Sequence, residues 1–395
     1  MEVKIEKLDN FGRGITYIND KICFVENALP NETVKIQITK TKDNYQEAKV
    51  IDYVETSPTR IEEECPYSKI CGGCQLNHIC YNEENRFKQN KIKELLNKYV
   101  NEDIEISNIR YHNRNNYRNK ITLHGIDGNL GLYQKESKKI IPIQECLLVN
   151  PKINEIIKIL NIINDNIKEV TIKTSNNNKE CLVNIKGTIK DIKPLLNICK
   201  VLIINNKYYT KDNDIETAIN DKIYKESSNS FFQVNNTLTE ELYNEVKNNI
   251  TENDKNILDL YCGTGTIGIY IGSNNKKIIG IDNNESNIND ANNNKIINKE
   301  LNIDFICDKV ENKINKFSNI DVVILDPPRK GLDNKTKNIL KAMYIKKIIY
   351  VSCDIYTLIR DINELKETYS IKKIIPFNMF PRTYHCESIT VLERR

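Results

Sequence analysis

At 395 residues, with 28% charged and 39% hydrophobic side chains, no Trp and a net charge of only +4, the chain can fill two or three domains with full cores. So mild a charge excludes a basic nucleic-acid arm, and any affinity for RNA must come from a local patch. No stretch approaches the roughly 18 apolar residues of a membrane span, residues 1–7 form no apolar signal core, and 12 scattered Cys do not read as a disulfide framework, so a cytoplasmic monomer with no membrane partner is expected.

Residues 1–55 alternate short β-like runs with turns. Examples are Gly14-Ile15-Thr16-Tyr17-Ile18, Ile22-Cys23-Phe24-Val25 and Thr33-Val34-Lys35-Ile36-Gln37-Ile38. This spacing predicts a small five-stranded, OB-like β-barrel. The order from Asp9-Asn10-Phe11-Gly12-Arg13-Gly14 to Asn31-Glu32-Thr33-Val34 resembles a TRAM domain, which implies RNA binding. The segment holds eight Lys and Arg against ten Asp and Glu, so only one face of it can attract RNA.

Residues 56–220 form a central α+β region. Cys65, Cys71, Cys74 and Cys80 crowd into its start, and a helix is predicted over 83–99, expected to pack on the region that follows. A hairpin is predicted to turn at Asp127-Gly128. Residues 110–120 (Arg110, Tyr111, His112, Arg114, Tyr117, Arg118 and Lys120 among them) are the densest basic and aromatic run. Arg114, Arg118 and Lys120 are expected to hold phosphates, and Tyr111 or Tyr117 to stack on an unpaired base.

Residues 221–395 alternate strands and helices in the doubly wound manner, with strands predicted at 256–261, 277–282, 304–307, 321–326, 347–352, 370–376 and 388–394. Ile257-Leu258-Asp259-Leu260-Tyr261-Cys262-Gly263-Thr264-Gly265 is an apolar strand running into glycines. Gly263, Gly265 and Gly268 satisfy a dinucleotide spacing, yet Asp259 offers a carboxylate suited to an ammonium group and Asp282 one suited to ribose hydroxyls. Asp326-Pro327-Pro328-Arg329-Lys330-Gly331 ends a later strand, and its prolines stiffen the backbone where cofactor and target meet. Arg329 stands where enzymes methylating exocyclic amines place an aromatic residue, which argues against that chemistry.

Cys353 closes the run Ile348-Ile349-Tyr350-Val351-Ser352. A thiol at the carboxyl end of a parallel strand sits where open α/β sheets bind ligands, and the start of the next helix favours thiolate there, although Asp354 opposes it. Carbon 5 of uracil is a poor nucleophile. A thiolate adding to carbon 6 activates it, and a separate base must then remove the hydrogen from carbon 5. Cys353 and Glu387 suit these two roles.

Phe232-Gln233-Val234-Asn235, the glycine loop, residues 326–331, Val351-Ser352-Cys353-Asp354 and His385-Cys386-Glu387 occur in an order and spacing similar to the RNA 5-methyluridine methyltransferase family. The resemblance covers essentially the whole chain. It implies a class I, Rossmann-like methyltransferase sheet, with Cys353 as nucleophile and Glu387 as base. Gln233, Tyr261, Asp282 and Asp326 would contact S-adenosylmethionine or the target base. Asp354 departs from the usual Asn, and Asp282 from a common Glu.

Cys65, Cys71 and Cys74, with Gly72 and Gly73 between the last two, have metal-ligand spacing, and spacing alone leaves Cys80 and Cys146 open as the fourth ligand. Similarity to iron–sulfur members of the family implies Cys146 and a 4Fe–4S cluster, with zinc as the alternative. The function implied is formation of 5-methyluridine in 23S ribosomal RNA. The alternatives are the same chemistry on the T-loop of transfer RNA, or a non-catalytic RNA-binding protein.

Overall fold

The computed structural model describes residues 1–177 and 179–395. Their strands gather into sheets of six, seven and eight members and one two-stranded ribbon.

The amino-terminal sheet runs Glu2–Lys4, Thr33–Thr41, Tyr45–Glu55, Lys21–Glu26, Gly14–Ile18, Lys7–Leu8. Alternation along these strands places Ile5, Cys23, Val25, Val34 and Ala48 in one core. The two end strands follow one another in the chain, but no ladder joins them. The Ile5 amide donates to the Glu32 carbonyl (2.9 Å) on one side and the Glu6 amide to the Ile15 carbonyl (2.9 Å) on the other, so the run passes from one edge of the sheet to the other between these residues. The expected five-stranded barrel is therefore a six-stranded sheet that hydrogen bonding does not close.

The central sheet runs Ile140–Pro142, Asn129–Tyr133, Lys120–Ile126, Asn164–Thr174, Cys181–Ile189, Val201–Ile204, Lys207–Tyr208. Asp127 (φ 45°) and Gly128 (φ 75°) make the two-residue turn predicted from their identities. Helix Pro151–Ile163 starts with an Asn150 cap and lays Ile153, Ile156, Ile157 and Leu160 on the sheet at helical spacing.

The largest sheet runs Ile303–Cys307, Lys277–Asp282, Asn256–Leu260, Val322–Leu325, Lys347–Ser352, Glu387–Arg394, Tyr369–Phe377, Glu105–Ile106. The first five are parallel to one another, and Glu387–Arg394 is antiparallel to both its neighbours. Order reverses between Asn256–Leu260 and Val322–Leu325, which opens a crevice at their carboxyl ends. All seven strands predicted in this region are present. The short eighth, Glu105–Ile106, comes from the central segment.

That segment also supplies helix Tyr81–Tyr99, whose Ile92, Leu95 and Leu96 share a core with Leu358, Ile362 and Leu365 of helix Ile355–Leu365. The chain that follows the clustered Cys is thereby packed on the large sheet. No helix among the described residues is long and apolar enough to cross a membrane.

Candidate active site

The crevice begins with the glycine loop. Strand Asn256–Leu260 runs into Tyr261 (φ 62°), a left-handed conformation that costs a non-glycine residue energy and is typical of functional turns. Gly265 follows at φ 74°, where a Cβ would lie 2.4 Å from the Phe305 ring. Buried Asp259 accepts from the Gly268 amide (3.0 Å) through Oδ2, while its Oδ1 has no partner. Burial pushes this carboxyl up to about 7. An orphaned buried carboxylate oxygen is the acceptor an ammonium group needs.

Asp282 accepts from the Gly263 amide (3.1 Å), the Asn284 amide (2.9 Å) and Asn287 Nδ2 (3.2 Å), so it braces the loop against the next strand. Gln233 is buried, and its carbonyl accepts from Asn119 Nδ2 (3.0 Å). A hydrogen bond from Thr264 Oγ1 to the Phe231 carbonyl (3.5 Å) lays the 231–233 segment beside the glycine loop. Tyr261 is half-buried, and burial pushes its phenol up to about 12.

Cys353 and Glu387 come together through strand register. Ser352 pairs with Ser388 across antiparallel strands, and Phe377 pairs with Glu387 on the other side. The first ladder ends at Ser352–Ser388, so Cys353 and Glu387 are the next residues out at adjoining strand ends, near enough for Glu387, second to burial, to raise the thiol's pKa. Asp326, in the adjoining strand's exit turn, raises the pKa values of both groups, and Arg329 from the same turn lowers both. Burial is the largest cause in each case. It lifts Cys353 to about 12, Glu387 well above the ordinary carboxylate range, and Asp326 to about 7.

Burial first, then Glu387 and Asp326, hold the resting thiol neutral, against the expectation that the helix start would favour thiolate there, and Asp354 adds a smaller push in the same direction. Its Oδ1 accepts from the Tyr356 (3.0 Å) and Thr357 (3.0 Å) amides, so a carboxylate already occupies the positive end of helix Ile355–Leu365. The 326–331 turn is held in place by its Gly331 (φ 72°) and by Thr357 Oγ1 donating to the Arg329 carbonyl (3.1 Å). His385 stays neutral, because burial and the nearby Arg329, Lys91 and Lys88 drive it down to about 4.

Cys65, Cys71, Cys74 and Cys146 all line one cavity of about 380 Å³, with Arg118, Lys120 and Arg382. Cys80 does not line it. It precedes helix Tyr81–Tyr99 as the N-cap, and its amide bonds the Thr59 carbonyl (2.8 Å). Among the described residues no group of three or more His, Cys, Asp or Glu is drawn tightly enough to hold a single metal ion. The thiols nonetheless sense one another: Cys65, Cys71 and Cys146 all raise Cys74.

The basic run at 110–120 is largely internal, contrary to expectation. Arg114 donates to the carbonyls of Leu76 (2.7 Å) and Ile79 (2.8 Å) and pairs with buried Glu84, which leaves it no role as a free phosphate ligand. Tyr117 is buried with its hydroxyl on the Pro381 carbonyl (3.3 Å), so it offers no stacking face. Arg118 and Lys120 are half-buried in the cysteine cavity wall; of the five residues expected to meet RNA only Tyr111 is exposed, alongside His112, Asn113 and Asn116 of the same run.

Sequence reasoning overlooked a cluster at the site's edge. Lys91 donates to the Asn10 carbonyl (2.9 Å) and lies over the rings of Tyr356 (5.2 Å) and Tyr384 (5.4 Å), and Phe11 meets Tyr384 edge-on (5.3 Å). These residues come from four distant parts of the chain, and no local pattern links them.

The tRNA (uracil-5-)-methyltransferase family model matches residues 199–395, and the TRAM domain model matches residues 1–51. An uncharacterized RNA methyltransferase of Clostridium tetani is 32% identical, over 96% of this chain and 93% of its own length. One from Aquifex aeolicus is also 32% identical, over 100% and 98%. The crystal structure of the Pyrococcus abyssi tRNA (uracil-54, C5)-methyltransferase in complex with S-adenosyl-L-homocysteine superposes with a TM-score of 0.81 at 24% identity. The match covers 99% of this chain and 100% of that one, so the two share the whole fold. Sheet, glycine loop and sequence relatives agree: the chain is an RNA methyltransferase and belongs to the RNA (uracil-5-)-methyltransferase family.

Proposed function

We propose that the enzyme methylates carbon 5 of a uridine in RNA through a covalent adduct on Cys353, with S-adenosylmethionine as methyl donor. The observation that carries this reading is the register that sets Cys353 against Glu387 beside Asp326. S-adenosylmethionine supplies an electrophilic methyl group on a positively charged sulfur. Asp259 offers its unpartnered oxygen to the donor's ammonium group, Asp282 takes its ribose hydroxyls, and Tyr261 and Gln233 wall the pocket.

Cys353, its proton passed to solvent, adds to carbon 6 of uracil, and the ring's electrons move to carbon 5, which would take the methyl group as its bond to the donor's sulfur breaks with the electron pair left on that sulfur. Glu387, having lost its own proton to solvent once substrate is bound, then accepts the hydrogen of carbon 5 as a proton. The carbon–sulfur bond breaks, and its electron pair returns to sulfur. Buried and lifted in pKa, Glu387 is a stronger base than an exposed carboxylate. Asp326 and Arg329 set the charge around both groups.

RNA carrying 5-fluorouridine tests the proposal, because fluorine does not leave as a proton. Incubation with S-adenosylmethionine should trap a protein–RNA adduct that Cys353→Ala abolishes. Equal yields from the two proteins would refute the covalent route.

The four thiols lining one cavity would hold a 4Fe–4S cluster, with zinc as the alternative, since either group is bound by four thiolates. The preferred substrate is 23S ribosomal RNA, on the combination of TRAM module and four-Cys cavity. The second reading, a transfer-RNA uridine, is favoured by the whole-chain fold shared with the Pyrococcus abyssi tRNA enzyme. Mapping 5-methyluridine in both RNAs from a strain lacking the gene decides between them.

A further inference from the structure

We infer that Arg382 is a positioning residue that ties occupancy of the four-cysteine cavity to the placement of Glu387. Between Phe377 and Glu387, which pair in one ladder, the chain makes a closed excursion with Arg382 in it. Arg382 is held at φ 67° and is only 1% exposed, the largest of the fully buried side chains. Its guanidinium donates to Glu64 Oε2 (2.7 Å), Asn77 Oδ1 (3.0 Å) and Asn115 Oδ1 (2.6 Å from Nη2, 3.0 Å from Nε). Its backbone is equally engaged: the amide donates to Glu84 Oε1 (2.9 Å), and the carbonyl accepts from the Gln75 and Leu76 amides (2.9 Å each).

These partners belong to the cysteine loops. Glu64 precedes Cys65, and Gln75 follows Cys74. Asn115 precedes Asn116, whose amide donates to the Leu147 carbonyl (2.9 Å), one residue past Cys146. The side chain also lines the cavity and is the cation beside Cys74 there. Thiolates holding a metal group bring negative charge to a wall whose one fully buried charge is this guanidinium, so each stabilises the other.

The far side of Arg382 leads straight to the base. Thr383 Oγ1 donates to the Phe380 carbonyl (2.8 Å) and accepts from the His385 amide (3.2 Å), and Glu387 lies two residues further on. Other contacts also hold the excursion: the helix contacts of Asn378 and Phe380, the Asn378 amide on the Arg110 carbonyl (2.8 Å), Asn235 Nδ2 on the Met379 carbonyl (3.3 Å), the Tyr117–Pro381 bond, and Tyr384 against Lys91 and Phe11; Arg382 is the anchor that joins it to the cysteine loops. Emptying the cavity leaves Glu64 as the guanidinium's carboxylate partner but removes the thiolate charge on its other side, and it loosens three anchoring loops together. The base then loses its register with Cys353.

This inference rests on the proposed roles of Cys353 and Glu387, and the test separates the two. Hydrogen exchange over residues 378–387 is compared in protein purified anaerobically and in the same protein after iron chelation. Exchange should rise at least about tenfold on chelation, the sign of a local opening made easier. Asn115→Ala, half-exposed and away from the reacting groups, removes two of the guanidinium's bonds and spares its charge. It should raise exchange in the same segment and lower kcat about ten- to a hundredfold, on the scale of hydrogen bonds to a charged group, with KM unchanged. The methylated adduct should then accumulate on ordinary RNA, since elimination is the impaired step.

Arg382→Lys should give an intermediate defect, because it keeps the charge and loses the fork. Unchanged exchange on chelation, or wild-type kcat in Asn115→Ala, would overturn the inference while a 5-fluorouridine adduct in the wild type leaves the proposed function intact. Failure of the wild type itself to form that adduct would indict the proposed function instead.

Discussion

Alkylation of Cys353 in the free enzyme tests the electrostatics of the site most directly. Burial, then Glu387, Asp326 and Asp354 with only Arg329 opposing them, lift the thiol from 9.0 to about 12. At pH 8 a thiol of ordinary acidity is about one-tenth thiolate and one at about 12 is about one ten-thousandth, a deficit of roughly three orders of magnitude. A more basic thiolate is also more nucleophilic, with a Brønsted slope of about 0.4–0.5, which restores some 16- to 32-fold. Iodoacetamide should therefore label Cys353 about 30- to 60-fold more slowly than an ordinary thiol at pH 8, with a rate still climbing at pH 10. Peptide mass spectrometry gives both rates in one sample, with exposed Cys307 as the internal reference. Asp326→Asn removes a charge that is present at pH 8; an about tenfold gain in thiolate, as expected for a carboxylate a few ångströms away in a screened medium, offset by the lower nucleophilicity of a more acidic thiol, should speed labelling of Cys353 by about three- to fourfold. Labelling of Cys353 at the Cys307 rate, with a plateau near pH 9, would refute the argument. An Asp326→Asn rate equal to wild type would show that this carboxylate does not act on the thiol.

Glu387→Gln should still add to uracil but stall before elimination, lowering turnover by about 10²- to 10⁴-fold as for loss of a general base, and the adduct on unmodified RNA should appear as a slow band on denaturing gels. Normal turnover would move the proton to His385 or water. Asp259 carries a folded-state pKa of about 7 against 3.8 unfolded, so folding takes up a proton there; its contribution to stability falls as pH rises from about 4 to about 7 and stays unfavourable above that, by roughly 4 kcal/mol at most. Asp259→Asn should therefore melt higher than wild type at pH 8, converge with it near pH 4 and lose S-adenosylmethionine binding by calorimetry. A lower melting temperature at pH 8 would contradict the sign. Iron analysis of anaerobic protein should find about four irons per chain, lost in Cys146→Ser and kept in Cys80→Ser; the reverse pattern would reassign the fourth ligand.

Local chemistry made much of this protein legible in its residues. Strand-forming runs broken by glycines and prolines marked all seven predicted strands of the large sheet, because β-branched runs and turn residues act over a few positions. Asp127-Gly128 specified its hairpin for the same reason. The motif residues Asp259, Asp282, Asp326, Cys353 and Glu387 stand at strand ends, where a doubly wound sheet puts its ligands.

What depends on packing at long range was decided only by the tertiary structure. Residues 110–120 have the composition of an RNA-binding loop, yet Arg114 and Tyr117 are consumed by Glu84, backbone carbonyls and Pro381. Whether a cation is free depends on partners far away in the chain. The amino-terminal run is split between two strands, Glu2–Lys4 on one edge of its sheet and Lys7–Leu8 on the other, with no ladder between them. The resting state of Cys353 reversed its local expectation, because three carboxyl groups and burial outweigh one helix end. The bond from Arg382 to the cysteine loops spans 318 residues between its guanidinium and Glu64, a distance over which no periodicity or motif carries information and which only the folded chain brings within 2.7 Å.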